Sequence, residues 1–237
     1  MAKILVTGAA GFIGSHTADG LLAGGHAVVG VDNFRSGRRE NLAAALRSPA
    51  FRFQEGNVAQ PGMLATLVAA ERPDVIIHLA ALVSVQESIA NPALNFSLNV
   101  QASQFGAEAA RLHGVGRVVF ASSAAIYGDA IEQPIREGAE KRPLSPYGAA
   151  KLASEALLLG HGAAYGFTVR CQRYFNVFGP RQDPSSPYSG VISIFARSYR
   201  EGKHVTIYGD GRQTRDFIAV ADVARANVLA ATRPGVA

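Results

Sequence analysis

Gly8-Ala9-Ala10-Gly11-Phe12-Ile13-Gly14 follows directly on the apolar run Ile4-Leu5-Val6 and leads into a segment, Gly14 to Ala23, whose apolar residues recur at helical spacing. The stretch therefore reads as strand, glycine-rich turn, helix. Glycines in such a turn permit a tight reversal, close approach of the backbone to a pyrophosphate, and close packing of helix on strand. The helix N-terminus adds free N–H groups and a positive dipole end, which favour an anion. A carboxylate, Asp32, closes the next apolar run, Ala27-Val28-Val29-Gly30-Val31-Asp32. Placed there it can accept from both hydroxyls of a ribose and repel a 2′-phosphate. The expected ligand is a nicotinamide dinucleotide, NAD rather than NADP, although Arg35, Arg38 and Arg39 just downstream could host a 2′-phosphate.

Outward from this turn the pattern repeats. Further strands are expected at Phe51 to Gln54, Val75 to Leu79, Arg117 to Ala121 and Phe167 to Tyr174, and helices at Gly62 to Ala70, Asn95 to Leu112 and Tyr147 to His161. Continuous apolar strands alternating with helices imply a parallel sheet covered on both faces. The fold class is α/β, a Rossmann-type doubly wound parallel sheet occupying residues 1–178. A Pro/Ser-rich loop at 179–187, a helix at Val191 to Glu201, a strand at Val205 to Tyr208, a turn at Gly209 to Gly211 and a strand at Asp216 to Ile218 read as a small, incomplete substrate-binding lobe, 179–215. The closing helix, Ala221 to Ala231, is expected to pack back on the first domain as part of 216–232.

Composition narrows the classes. The chain has 237 residues, 48% of them hydrophobic, with a formal net charge of +5, which is enough for one large core. The arginines are scattered, with no basic stripe interleaved with aromatics, so nucleic acid is not an expected partner. No apolar stretch is long enough to span a bilayer. The start lacks a leader's apolar region, and the single cysteine, Cys171, suits a reducing compartment, so a cytoplasmic location is expected. The histidines lack metal-ligand spacing, and no metal is expected.

Tyr147-Gly148-Ala149-Ala150-Lys151 places a phenol and an amine four apart, on one helix face. A neighbouring ammonium and a positive nicotinamide ring both favour the phenolate. Bringing a phenol from about 10 to near 7 requires roughly 4 kcal/mol of differential stabilisation. The pair gains weight from the dinucleotide turn before it and from Ser122-Ser123 at the end of a strand.

With Val31-Asp32-Asn33-Phe34, His78-Leu79-Ala80-Ala81, Ala121 to Gly128, Arg173 to Arg181 and Gly209 to Phe217 added, the chain resembles the extended short-chain dehydrogenase/reductases, and within them the NAD-dependent nucleotide-sugar 4-epimerases. The resemblance implies that Tyr147 takes the proton from a sugar 4-hydroxyl, Ser123 hydrogen-bonds the same oxygen, and Lys151 tunes Tyr147 and holds the nicotinamide ribose. Hydride passes from sugar C4 to NAD, and the 4-keto sugar turns over to receive it on the opposite face. The resemblance assigns cofactor contacts to Gly8, Gly11, Phe12, Ile13, Gly14, Asp32, Asn33, Asn57, Val58, Leu79, Ala80, Ala81, Asn99, Ser122, Tyr147, Lys151, Tyr174 and Asn176. Substrate contacts fall to Ser84, Ser123, Tyr147, Asn176 and Arg215. The implied substrate is a UDP-sugar, glucose/galactose or the N-acetylated pair, and the implied assembly a homodimer through the helices near Asn95 and Tyr147.

Two alternatives stand beside this. A 4,6-dehydratase needs an acid after the catalytic hydroxyl residue, where this chain has Ala124-Ala125, which offer no proton; a uronate epimerase or a decarboxylase stays open. Relatives continue beyond the position of Ala237, so the resemblance also implies a half-built sugar site. The second class is then an NAD-binding protein with little or no catalysis.

Overall fold

The computed structural model describes residues 1–183, 190–207 and 209–234. Six strands, β1 (Lys3–Thr7), β2 (Ala27–Asp32), β3 (Phe51–Glu55), β4 (Val75–His78), β5 (Arg117–Ser123) and β6 (Thr168–Tyr174), form one sheet in the order β3-β2-β1-β4-β5-β6. Every pairing is parallel, with Thr7 beside Val31 on one side and His78 on the other. This bears out the expected doubly wound Rossmann sheet, whose order reverses between β1 and β4.

Both faces are covered, and the residues of β1 show how. Ile4 and Val6 enter one hydrophobic cluster, with α1 (Phe12–Ala23), and Leu5 enters the other, with α2 (Met63–Glu71) and α5 (Ala102–His113). The twofold alternation of a strand thus feeds two cores, which is why these strands are apolar at successive positions. α6 (Pro146–Tyr165) lies with α5 and starts from Ser145, whose hydroxyl accepts from Gly148 N–H at 3.1 Å, with Pro146 in the first turn. Gly166, in the left-handed conformation, ends it. The last helix, α8 (Val220–Thr232), packs beside α1, with Ala230 and Ala231 in the Ile4 and Val6 cluster.

Two expectations change. The helix expected from Asn95 to Leu112 divides into α4 (Pro92–Asn95), a π-helical stretch Phe96–Gln101, and α5, while a short α3 (Val85–Ala90) precedes it. Val205 to Ile207 form no strand; they are exposed and have no strand partner, so β propensity alone does not order them, and Tyr208 lies outside the described residues. The expected loop likewise falls outside the described residues at 184–187. Beyond β6, a two-stranded parallel sheet joins β7 (Asn176–Phe178), which has no separate sequence signal, to β8 (Phe217–Ala219), and α7 (Val191–Arg200) lies between them in sequence.

The turn between β1 and α1 is the tightest place in the sheet's upper edge. A Cβ on Gly14 would stand 2.0 Å from the Gly8 carbonyl oxygen, whereas one on Gly160, on the exposed side of α6, would meet nothing within 4 Å. Both glycines are helical, so Ala has the better propensity at each. The outcomes should have opposite signs. Gly14→Ala should lower the urea unfolding free energy by about 1–3 kcal/mol, and Gly160→Ala should leave it unchanged or raise it by up to about 1 kcal/mol. Equal effects of the two substitutions would show that the close approach at Gly14 does not constrain the fold.

Candidate active site

The carboxyl ends of β1, β4 and β5 deliver the site. Gly8 has φ of +71°, and a Cβ on it would lie 2.8 Å from Ala80 N, so the turn lies directly against the Leu79-Ala80-Ala81 segment that leaves β4. α1 begins at Phe12 behind Gly11, with no side-chain cap and no acid in its first turn. Its first N–H groups, including those of Phe12, Ile13 and Gly14, therefore stand at an uncapped helix start suited to a diphosphate.

Asp32 ends β2 with its carboxylate oriented by two backbone donors: Ala10 N–H to Oδ2 at 3.0 Å and Phe34 N–H to Oδ1 at 2.8 Å. Burial raises its pKa, and these N–H donors pull it back down. Each oxygen keeps a lone pair for a ribose hydroxyl. The three arginines downstream are engaged elsewhere: Arg35 with Glu87, Arg38 with Asp183, and Arg39 with Glu55 at 3.3 Å. Asn33 accepts from Arg35 N–H at 3.1 Å. Asn57, expected to accept from an adenine amine, already accepts from Ala59 N–H at 3.0 Å, while Val58 is buried in the core.

Tyr147, Lys151 and Ser123 converge as the sequence predicts. Tyr147 is in the first turn of α6 and Ser123 ends β5. Burial raises the Tyr147 pKa, and a hydrogen bond with Ser123 opposes that rise. The Ser123 hydroxyl also accepts from Ala125 N–H at 3.2 Å. Lys151 is buried, its Nζ 5.9 Å from the Tyr147 ring centroid and 2.8 Å from the Ala121 carbonyl, to which it donates. Burial lowers its pKa to about 7. The sequence expectation was a phenol driven towards its anion by a full ammonium. In the protein by itself desolvation dominates both groups, because it penalises whichever form is charged. Ser122 is buried beside them and its hydroxyl has no partner among the described residues. These residues fit a dinucleotide: an uncapped helix start, an oriented carboxylate for a ribose, and an unpartnered hydroxyl at the reactive end.

The sequence profile described as the NAD dependent epimerase/dehydratase family matches residues 4–236. The chain belongs to this family. It is 43% identical over 229 residues to the UDP-glucose 4-epimerase of Mycolicibacterium smegmatis, covering 96% of this chain and 72% of the relative. It superposes with a TM-score of 0.91, at 40% identity, on UDP-glucose 4-epimerase of Thermotoga maritima with UDP-glucose, covering 96% and 72% of the two chains. The Thermus thermophilus UDP-glucose 4-epimerase complex with NAD aligns with a TM-score of 0.88 at 38% identity, covering 98% and 75%.

Within this epimerase/dehydratase chain, several expected contacts have other partners. Asn99, in the π-helical stretch, accepts from Leu82 N–H at 3.1 Å and donates to the Leu82 carbonyl at 3.0 Å and to Asn95 at 2.8 Å. Both its N–H groups are occupied, so it orders the backbone around Leu82 rather than offering a donor to a cofactor. The Tyr174 hydroxyl donates to Asn227, which donates to Thr17 at 3.0 Å, so this phenol points towards α8 and α1 and not into the site. Ser84 caps α3, accepting from Glu87 N–H at 2.9 Å. Asn176 is exposed and donates at 2.9 Å to the carbonyl of Asp216, the residue that follows Arg215 in the chain. Arg215 donates to the neighbouring Thr214 carbonyl at 2.7 Å and, among the described residues, has no hydrogen bond or ion pair with Tyr147.

Other residues support the family site without announcing themselves. Thr7 accepts from Leu79 and Ala80 N–H, each at 3.1 Å, which leaves its proton for His78 Nδ1 at 2.9 Å. His78 is then the neutral Nε2–H tautomer, assigned from this network; burial first, and the Lys151 charge second, push its pKa down to about 3. Ser88 accepts from Tyr147 N–H at 3.1 Å, and Asn95 donates to the Pro146 carbonyl at 3.0 Å, so α3 and α4 hold the start of α6. Only the polar residues in otherwise apolar faces hinted at these roles.

The lowered Lys151 pKa makes stability depend on pH. Between about 7 folded and 10.5 unfolded, the unfolded chain binds more protons, so stability rises with pH in that window. Urea unfolding of the cofactor-free protein at about pH 7 and about pH 8 should show this contribution, at most about 1.4 kcal/mol per unit. Lys151→Met should remove it from the slope. A wild-type slope in Lys151→Met would contradict a buried, poorly charged amine.

Proposed function

We propose that the protein is a nucleotide-sugar 4-epimerase acting on a UDP-sugar, either the glucose/galactose or the N-acetylated pair, with a tightly held NAD. The observation that carries this reading is the convergence of Ser123 and Lys151 on Tyr147 at the carboxyl edge of the sheet, beside the glycine turn. The engagement of Arg35, Arg38 and Arg39 with carboxylates supports NAD over NADP, since none is left as an unpaired cation for a 2′-phosphate.

Each residue has a definite task. The first turn of α1 would bind the diphosphate of NAD, Asp32 would accept from its adenosine ribose, and Lys151 and Ser122 would hold its nicotinamide ribose. Bound NAD supplies a hydride acceptor for sugar C4 that gives the same hydride back to the opposite face. Tyr147 takes the proton from the sugar 4-hydroxyl and later returns it. Ser123, which accepts from Ala125 N–H, has one proton to give, shared with the Tyr147 phenol before the sugar binds and turned to the sugar oxygen afterwards. Lys151 and the positive ring of a bound NAD would have to offset the rise that burial causes and supply the roughly 4 kcal/mol between 10 and 7 as well. Asn176, which pairs with Phe217, and Arg215, two residues before that partner, are assigned to the substrate diphosphate. Ala124 and Ala125 leave no acid for eliminating water.

Residues 179–215 are assigned to a partial substrate lobe and 1–178 to the dinucleotide domain. Phe96, Leu112, Leu159 and Tyr165 are exposed along α5, α6 and the π-helical stretch, which supports a homodimer through those helices. One observation favours a second reading, a dinucleotide-binding protein without turnover: α7, the lobe's helix, has no buried residue.

The test is conversion of UDP-galactose, and of UDP-N-acetylgalactosamine, to the 4-epimer. Tyr147→Phe should lower turnover by about 10²–10⁴-fold and still carry NAD through purification. Wild-type protein that retains NAD but converts neither sugar would overturn the epimerase reading and favour the second.

A further inference from the structure

Tyr147, Lys151 and Glu155 follow one another at four-residue spacing on α6, so the three share one stripe of the helix. The third is not part of the chemistry described above, yet it is only 3% exposed and ionic. Its carboxylate grips Arg173 of β6 through two parallel bonds, Nε to Oε1 at 3.0 Å and Nη2 to Oε2 at 2.9 Å. The remaining nitrogen of Arg173, Nη1, donates to the Tyr127 hydroxyl and to the Glu137 carbonyl, both at 2.8 Å. All three guanidinium nitrogens are therefore used, and they reach three separate pieces of chain.

Those pieces are the ones whose relative placement matters. Glu155 lies on the helix that carries Tyr147. Tyr127 closes the turn that begins at Ser123, after the short helical turn Ala124–Ile126. Glu137 lies in the excursion that returns to Ser145, the cap of α6. A pair of apolar side chains could fill the same volume and stabilise the fold as well. What such a pair could not supply is direction: a bidentate fork fixes the rotation of the helix about its axis. A misplacement of about 1 Å in a reacting group can cost about 10²-fold in rate.

We propose that Arg173 and Glu155 are positioning residues, a fork between a part-buried guanidinium and a buried carboxylate that sets the rotation of α6 and the height of the Ser123 turn so that Ser123 meets the Tyr147 phenol. The inference rests on the epimerase reading for its consequence in turnover, but its geometric content is independent of it. The test compares the wild-type protein with Arg173→Lys, which keeps the charge and loses the fork, and with the double variant Arg173→Met/Glu155→Leu, which removes both charges. Two quantities are read in folded, NAD-loaded protein: the Tyr147 ionisation, from ultraviolet difference titration with Tyr147→Phe as the blank, and kcat and KM for UDP-galactose.

The expected result is a Tyr147 titration displaced upwards by at least about half a unit, because the Ser123 bond that opposes the rise is lost. With it, kcat should fall about 10- to 100-fold at a KM within about twofold of wild type. These changes should appear in whichever variant folds, the conservative Arg173→Lys included. A folded variant with the wild-type titration and kcat overturns the proposal. If the wild type converts no sugar, the epimerase reading fails alone, and the titration still decides the fork.

Discussion

The seating of α6 on β5 controls the relation of every reactive group in this protein, and a buried amine makes that seating specific. Lys151 donates to the Ala121 carbonyl at 2.8 Å from a position where burial brings its pKa to about 7. A buried amine is costly unless it has hydrogen-bond partners, and this carbonyl is the one the fold provides. The bond holds the middle of the first turns of α6 against the strand that ends in Ser123. Ser88 and Asn95 hold the start of the helix from the other side, and Glu155 holds the next turn through Arg173. The phenol between them has little freedom to move.

The cofactor side depends on a different constraint, close approach of backbone. Gly8 and Gly14 let α1 start directly above β1, against Ala80. That approach leaves the helix start open, and the same turn gives Ala10 N–H to Asp32, so one piece of chain orders both groups proposed to meet a dinucleotide's phosphates and ribose. Both sides meet where the strand order reverses, between β1 and β4, the place where open parallel sheets leave a crevice. The family's chemistry is thus placed by topology, and the individual residues adjust it.

The layered fold was legible because buried parallel strands write long apolar runs, and because glycines at a strand-to-helix turn have few other uses. Tyr147, Lys151, Ser123 and Asp32 were legible because their spacing ties them to elements with clear ends. What escaped was set by partners far away in sequence. In the π-helical stretch Asn99 bridges back to Leu82, which no periodicity in 95–112 records. Tyr174 looked like a wall of the site until Asn227, brought over by α8, claimed its hydroxyl. Val205 to Ile207 carried strand propensity without a neighbouring strand to pair with. Arg173 and Glu155 sat in plain view, one inside a motif and one a helical turn past Lys151, but only the folded chain joins them.

The mechanism proposed for this site removes a hydride from sugar C4 and returns that same hydride, with Tyr147 carrying the proton. Its most direct test is the fate of deuterium at C4 of UDP-galactose incubated with the purified protein in ordinary water. The expected product is UDP-glucose with the deuterium still at C4. Product in which the label has been replaced from solvent would contradict it.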